Sequence, residues 1–134
     1  MSGKKMKVVL DTNVIVSALI NTNGIPAKIL SLILNGKARI LYDNRIIFEY
    51  TEVLSRKKFA FNNEIINDLT DFIKNEGEFV NSEYLKIKFR DETDKKFYEV
   101  FKTGKVHYLI TGNTKHFPKE KGIISPKEYF EDIN

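Results

Sequence analysis

Two apolar segments that lack polar alternation are the strongest constraint on the fold of this chain. KVVL at 7–10 and VHYLIT at 106–111 are typical of strands that are covered on both faces of a sheet. Helix-like segments of about 10–15 residues separate the apolar runs, a spacing that indicates βαβ units. Such units build parallel sheets flanked by helices, so the sequence predicts a three-layer α/β/α domain with a central parallel sheet.

Hydrophobic spacing and capping residues predict where the individual elements lie. The stripe from Ile46 to Leu54 has a period of 3.6 residues and predicts the clearest helix, which Asp43 or Asn44 can cap. Pro26 suits the first turn of an earlier helix, and Gly36 suits the end of the same helix. Helices are expected at 13–20, 26–36, 44–56, 62–77, 93–103 and 126–133, and strands at 7–10, 38–42, 78–81, 106–111 and 122–124.

The length of 134 residues predicts one domain, which we place at residues 6–134. Residues 1–5 are interpreted as a short N-terminal tail or tag remnant, since Met6 can serve as the start. Hydrophobic residues make up 42% of the chain and charged residues 30%, which excludes a disordered or fibrous protein.

The absence of cysteine excludes disulfides, thiolate zinc sites and thiol nucleophiles, and it suits a reducing compartment. Because no apolar stretch approaches the roughly 18 residues that a membrane span needs, we expect a cytoplasmic protein. With two histidines present, any metal is expected to be a hard ion held by oxygen ligands. The net charge of +4 favours attraction to polyanions, although a lysine-rich solvated surface would give the same value.

Polar clusters follow two of the predicted strands at their carboxyl ends, where open parallel sheets bind ligands. Asp11, Thr12 and Asn13 come directly after the first strand. Thr111 and Asn113 flank a glycine at the end of the strand near 106–111. The two clusters are therefore expected to lie at one edge of the sheet.

Two helical acids can reach the same edge. At about 100° per residue, Glu49 lies beside the apolar arc of its helix, whereas Glu52 lies opposite it and should face water. Asp94 stands in the first turn of the 93–103 helix, where Thr93 can act as the cap. If Asp11, Glu49 and Asp94 converge, their mutual repulsion calls for a cation, and Mg²⁺ or Mn²⁺ is the natural choice. Such an ion supports phosphodiester hydrolysis.

Each of these residues also has an ordinary structural explanation. Asp11 can start a turn, Thr93 and Asp94 can be only a helix cap, and Glu49 can be a solvated helical acid. Asp91 is interpreted as a loop acid rather than a fourth site carboxylate. His116 is interpreted as a structural or surface imidazole. Lys95 and Lys96 are either a solvated face or contacts for a polyanion.

The sequence resembles the PIN-domain family over nearly its whole length. The resemblance rests on VVLDTNVIVSAL (8–19), IIFEYTEVLSR (46–56), RDETDKKF (90–97), YLITGNTKHFP (108–118) and IISPKEYF (123–130). Within that family it is most similar to the toxin components of toxin–antitoxin systems, the VapC-like ribonucleases.

The resemblance implies a compact α/β/α fold and metal-dependent hydrolysis of RNA. It implies that Asp11, Glu49 and Asp94 hold Mg²⁺ or Mn²⁺, and it places the family's hydroxyl residue on Thr111. Thr12 and Asn13 match the polar pair after the first aspartate. We expect these two residues, together with Lys95 and Lys96, to contact the RNA.

One position departs from the family pattern. Many members have an aspartate where this chain has Asn113, whose amide oxygen can bind a ligand but adds no negative charge. We therefore expect one tightly held metal ion, with Asn113 and Thr111 orienting a ligand water or the phosphate during hydrolysis.

Two other functions stay open from the sequence. A PIN-like module could hold RNA or a partner without cutting, which Asn113 favours. A small-molecule phosphatase is also possible, although the DxDxT motif of one large phosphatase class is absent. A toxin would need a small antitoxin that covers the acidic cleft, and a homodimer is a further expectation.

Overall fold

The computed structural model describes residues 5–133 and contains a five-stranded, all-parallel sheet. The strands are β1 (Met6–Leu10), β2 (Ala38–Tyr42), β3 (Glu78–Phe79), β4 (Tyr108–Ile110) and β5 (Ile123–Ile124). The helices are α1 (Thr12–Ile20), α2 (Ile25–Leu34), α3 (Asn44–Leu54), α4 (Asn63–Glu76), α5 (Lys95–Thr103) and α6 (Pro126–Ile133). Short 3₁₀ helices lie at Lys57–Phe59, Glu92–Asp94 and Thr114–His116.

Helices cover the sheet on both faces, which confirms the predicted three-layer architecture. Val8, Val9 and Leu10 are consecutive in β1, so their side chains point to alternate faces, yet none is exposed to solvent. Helix α5 packs against β1, β2 and β4. The lack of polar alternation in β1 is therefore explained by burial of both faces.

The strand order β3-β2-β1-β4-β5 places the start of the chain at the centre of the sheet. The chain moves outward from β1 to β3, then crosses back to β4 on the other side of β1. The register pairs Leu10 with Ile110 at the ends of β1 and β4. The next residues, Asp11 and Thr111, therefore meet at the point where the strand order reverses, the usual location of ligand sites in such sheets.

Most predicted ends and caps are confirmed. Asp43 caps α3 by accepting a hydrogen bond from the Ile46 amide at 3.0 Å, and Asn62 caps α4 through the Glu64 amide at 2.7 Å. Pro26 lies in the first turn of α2. Gly36 follows α2 with a φ of +75°, a left-handed conformation that disfavours side chains.

The prediction at Thr93 was wrong. Asp91 accepts hydrogen bonds from both the amide and the hydroxyl of Thr93, so Asp91 caps the 3₁₀ turn that leads into α5. The strands β3 and β4 are also shorter than the predicted 78–81 and 106–111. The predicted tail 1–5 lies outside the described residues except for the exposed Lys5.

Across residues 5–133, no single helix has the length and apolar character of a membrane span. Helices α1 and α2 pass that test only when taken together, and they are bent by 103°.

Two glycines with positive φ are expected to respond differently to alanine. At Gly36, the nearest atom to an added Cβ is the flexible Lys5 side chain at 3.7 Å, so Gly36→Ala should cost only the conformational strain, about 1 kcal/mol. At Gly122, with φ +97°, the Cβ would lie 2.6 Å from the His107 carbonyl oxygen. Gly122→Ala should therefore lower the free energy of unfolding more than Gly36→Ala, as urea denaturation of both variants would measure. Equal losses would contradict the steric argument.

Candidate active site

Asp11 and Thr111 form the centre of the site, as the strand register requires. Asp11 is only 6% exposed, and its Oδ2 accepts a hydrogen bond from the Thr111 hydroxyl at 2.8 Å. The Thr111 oxygen in turn accepts from the Asn113 amide at 2.9 Å. Thr111 therefore orients the buried carboxylate and the turn that follows β4.

Glu49 reaches this centre from α3. Its side chain is half-buried, as predicted, while Glu52 faces solvent and pairs with Arg56 at 3.1 Å. The Thr12 hydroxyl donates a hydrogen bond to Glu49, and Lys96 Nζ lies 2.6 Å from its Oε1. The carboxylate is thus held by one residue that follows β1 and by one residue of α5.

Asp94 approaches from the start of α5. Its Oδ2 lies 3.4 Å from Nδ1 of His116, which belongs to the 3₁₀ turn after β4. Burial raises the pKa of Asp94, and Asp91 raises it further, whereas His116 lowers it.

The three carboxylates act on one another. Burial raises the pKa of Asp11 to about 6, against the lowering effect of the Thr111 hydrogen bond, and the charges of Asp94 and Glu49 raise it further. Burial and the charges of two other carboxylates therefore disfavour the ionised form of Asp11, and a bound cation would stabilise that form.

The chemistry of these donors fits a hard divalent cation, since the groups nearest Asp11 are carboxylate and hydroxyl oxygens. In residues 5–133, however, no group of three or more His, Cys, Asp or Glu is arranged so that it could hold a metal ion. In this arrangement Glu49 contacts Lys96 and Asp94 contacts His116.

The other predicted site residues lie around this centre in different roles. The Asn13 amide oxygen accepts a hydrogen bond from the Gly112 amide at 3.2 Å, which ties the two strand ends together. Asn113 is exposed. Lys95 is buried and Lys96 nearly so, which excludes the solvated-face alternative for both lysines. Asp91 caps a turn, as its interpretation as a loop acid required.

Sequence reasoning missed two neighbours of the site. His116 was interpreted as a structural or surface imidazole, yet it contacts Asp94. Tyr50 was placed in the core, which is correct, but its hydroxyl also donates to the Leu10 carbonyl directly before Asp11. Burial raises the pKa of Tyr50 well above its ordinary value, and Asp11 and Glu49 add to the effect. The adjacency of Tyr50 to Glu49 in the sequence was the one available signal.

Comparison with known proteins identifies the family of this chain. The sequence profile of the PIN domain family matches residues 7–115, which include Asp11, Glu49, Asp94 and Asn113. The chain is also 39% identical to an uncharacterized protein of Methanocaldococcus jannaschii over 113 residues, which cover 81% of this chain and 72% of the relative. PIN domains are generally nucleases and typically use divalent metal ions, so the match supports a hydrolase that acts on nucleic acid. By its fold and by this match, the chain belongs to the PIN-domain family.

Proposed function

We propose that this protein is a metal-dependent endoribonuclease that hydrolyses RNA phosphodiester bonds. The observation that carries the proposal is the position of the buried Asp11 at the carboxyl end of β1, where it is bonded to Thr111 and where the charges of Asp94 and Glu49 raise its pKa. Three acids in one electrostatic environment, far apart in sequence, suit a cation and a phosphate better than a purely structural role.

Asp11, Glu49 and Asp94 would hold Mg²⁺ or Mn²⁺. When bound, such an ion would neutralise charge on phosphate oxygens and lower the pKa of water. The ion pairs of Glu49 with Lys96 and of Asp94 with His116 would have to open first.

Other residues of the chain would contact the phosphate and orient the carboxylates. Lys96, once released from Glu49, would present its ammonium group to the RNA phosphate. Thr111 would keep Asp11 in one orientation through its hydroxyl, and Thr12 would do the same for Glu49. The exposed Asn113 is free to orient a water or a phosphate oxygen with its amide.

The test is a cleavage assay on a pool of cellular RNAs with Mg²⁺, Mn²⁺ or chelator. We expect cleavage only with metal and almost none from Asp94→Asn, because one of the three carboxylates is lost. Asp71→Asn, which removes an exposed acid from α4, is the matched control and should cut like wild type. Cleavage that persists in chelator, or in Asp94→Asn at the wild-type rate, would refute the proposal.

A second candidate is a PIN module that binds RNA without cutting it. Asn113 favours it, as do the Lys96 ammonium paired with Glu49 and the His116 ring that contacts Asp94. Retention of a labelled RNA without cleavage at any metal concentration would select this candidate.

A toxin role in the cytoplasm, with a cognate antitoxin and a homodimer, is part of the same proposal. It rests on the resemblance to VapC-like ribonucleases. Growth arrest on expression of the wild type, but not of Asp94→Asn, would support it.

A further inference from the structure

A groove of about 710 Å³ opens directly beside Glu49, between α3 and the start of α5. Helix α3 contributes Phe48 and Glu49, which are neighbours in sequence, and Glu52 one turn later. Lys95 and Lys96 line the other side. The groove therefore begins at the candidate metal ligands and continues away from them.

Two aromatic side chains in this groove are unusually exposed. Phe48 is 73% exposed and Tyr84 is 75% exposed. Within residues 5–133, neither ring contacts another aromatic ring, in contrast to the paired rings elsewhere in the protein. The Phe48 ring and the face of Tyr84 that Lys95 does not cover are therefore available to a planar ligand.

Hydrogen bonds fix the backbone beside Tyr84, whose ring is largely exposed. The Ser82 hydroxyl donates to Asp43 at 2.9 Å, the Glu83 amide donates to the Thr103 hydroxyl oxygen at 3.0 Å, and the Leu85 amide donates to Glu99 at 2.8 Å. Asp43 and Glu99 are both buried. The segment around Tyr84 has no helix or strand structure, but its hydrogen bonds hold the backbone in place. The Tyr84 ring is therefore presented from a fixed position, as a preorganised binding site requires.

Charges of both signs line the groove beside these rings, with three basic side chains and the four glutamates Glu49, Glu52, Glu92 and Glu99. Lys95 makes no ion pair with a carboxylate of residues 5–133, and its Nζ lies 4.3 Å from the centre of the Tyr84 ring. Lys96 lies at the end of the groove nearest Glu49. Exposed aromatic faces beside cations are the features by which proteins bind the bases and phosphates of single strands.

We propose that this aromatic groove, defined by Phe48 and Tyr84, binds an unstacked base of single-stranded RNA next to the phosphate that is cut. The proposal rests on the proposed nuclease function and adds a substrate form and a base subsite to it. Duplex RNA cannot use the groove, because its bases are stacked on each other. A protein partner would use the apolar rings but would leave the cation of Lys95 without a phosphate to contact.

Kinetic variants test the groove. Phe48→Ala and Tyr84→Ala should each raise KM for a single-stranded RNA about tenfold and leave kcat nearly unchanged. Tyr84→Phe, which keeps the ring, should behave like wild type, while Tyr84→Leu should behave like Tyr84→Ala. Ile65→Ala removes an exposed apolar side chain of α4 outside the groove and is the matched control. A series of oligonucleotides, each with one abasic site, locates the bound base. At one position the missing base should raise the KM of the wild type about tenfold and should not raise the KM of Tyr84→Ala any further.

A fluorescence measurement separates this inference from the nuclease proposal. The chain has no tryptophan, so Tyr84→Trp places a single indole in the groove. In chelator, single-stranded RNA should quench this indole, and duplex RNA should not. Quenching without any cleavage on later addition of metal would keep the groove and refute the nuclease function. The proposal that the groove binds an RNA base would be refuted by cleavage without quenching or by an unchanged KM in both alanine variants. A defect of these variants that is confined to binding of a protein partner would refute it as well.

Discussion

The variant Asp11→Asn is expected to lose RNA cleavage and, in the absence of divalent metal, to be more stable than the wild type. Asp11 is buried, and burial raises its pKa to about 6, with a further contribution from the charges of Asp94 and Glu49. At pH 8 the folded wild type must therefore keep a charge that its surroundings disfavour. Asparagine has nearly the same shape and can still accept the Thr111 hydrogen bond without that charge.

The effect of pH follows from the direction of the shift. A folded-state pKa above the unfolded value of 3.8 means that Asp11 stabilises the wild type below pH 3.8 and that this stabilisation is lost as pH rises through 6. The difference of roughly two pKa units corresponds to about 3 kcal/mol, an upper value for the advantage of Asp11→Asn at pH 8.

Urea denaturation at pH 4 and pH 8, in chelator and in Mg²⁺, measures this prediction. In chelator, the difference in the free energy of unfolding between Asp11→Asn and the wild type should increase from pH 4 to pH 8. Mg²⁺ should stabilise the wild type more than the variant. Asp71→Asn controls for a general change in charge. A variant that is less stable than wild type at pH 8 in chelator would contradict the prediction that the charge of Asp11 lowers the stability of the folded protein.

Arg45→Met is expected to destabilise the protein by about 3 kcal/mol at pH 7. Arg45 contacts Glu99 at 2.8 Å and Asp43 at 2.6 Å, and both carboxylates are buried. Loss of the guanidinium leaves two buried negative charges without a cation, which costs more than the pair itself contributes to stability. The segment that carries Tyr84 is bonded to the same two acids and should loosen with them.

The second substitution Glu99→Gln should restore a large part of the stability of Arg45→Met. Glutamine removes one buried charge and can still accept the hydrogen bond from the Leu85 amide. Denaturation of the wild type, both single variants and the double variant gives the coupling free energy. Additive effects of the two substitutions would show that the buried charges are not the cause of the loss.

The sequence was sufficient to predict which strands and helix faces carry the residues of the site. Apolar strands indicated a parallel sheet, and the ends of β1 and β4 then had to bring Asp11 and Thr111 to one edge. Helical periodicity also predicted that Glu49 is half-buried and that Glu52 faces solvent, because the apolar arc of α3 defines which face of the helix is buried.

The partners of the acids could not be predicted, because they depend on contacts between residues that are far apart in the chain. Lys96 lies 47 positions from Glu49, and no periodicity in either helix indicates that the two meet. His116 and Tyr84 lie in segments without regular spacing, where side-chain direction depends on hydrogen bonds such as those of Ser82 and Leu85. At Thr93, propensity suggested a cap, but the Thr93 hydroxyl donates to Asp91, which also accepts from the Thr93 amide.

The position of β4 beside β1 has a consequence for synthesis of the protein. Asp11 emerges from the ribosome early, but its hydrogen-bond partner Thr111 follows 100 residues later. A nascent chain therefore carries all three acids before it has the strand that completes their setting. Any activity that depends on the Asp11–Thr111 bond must therefore wait until β4 has been synthesised and has folded beside β1.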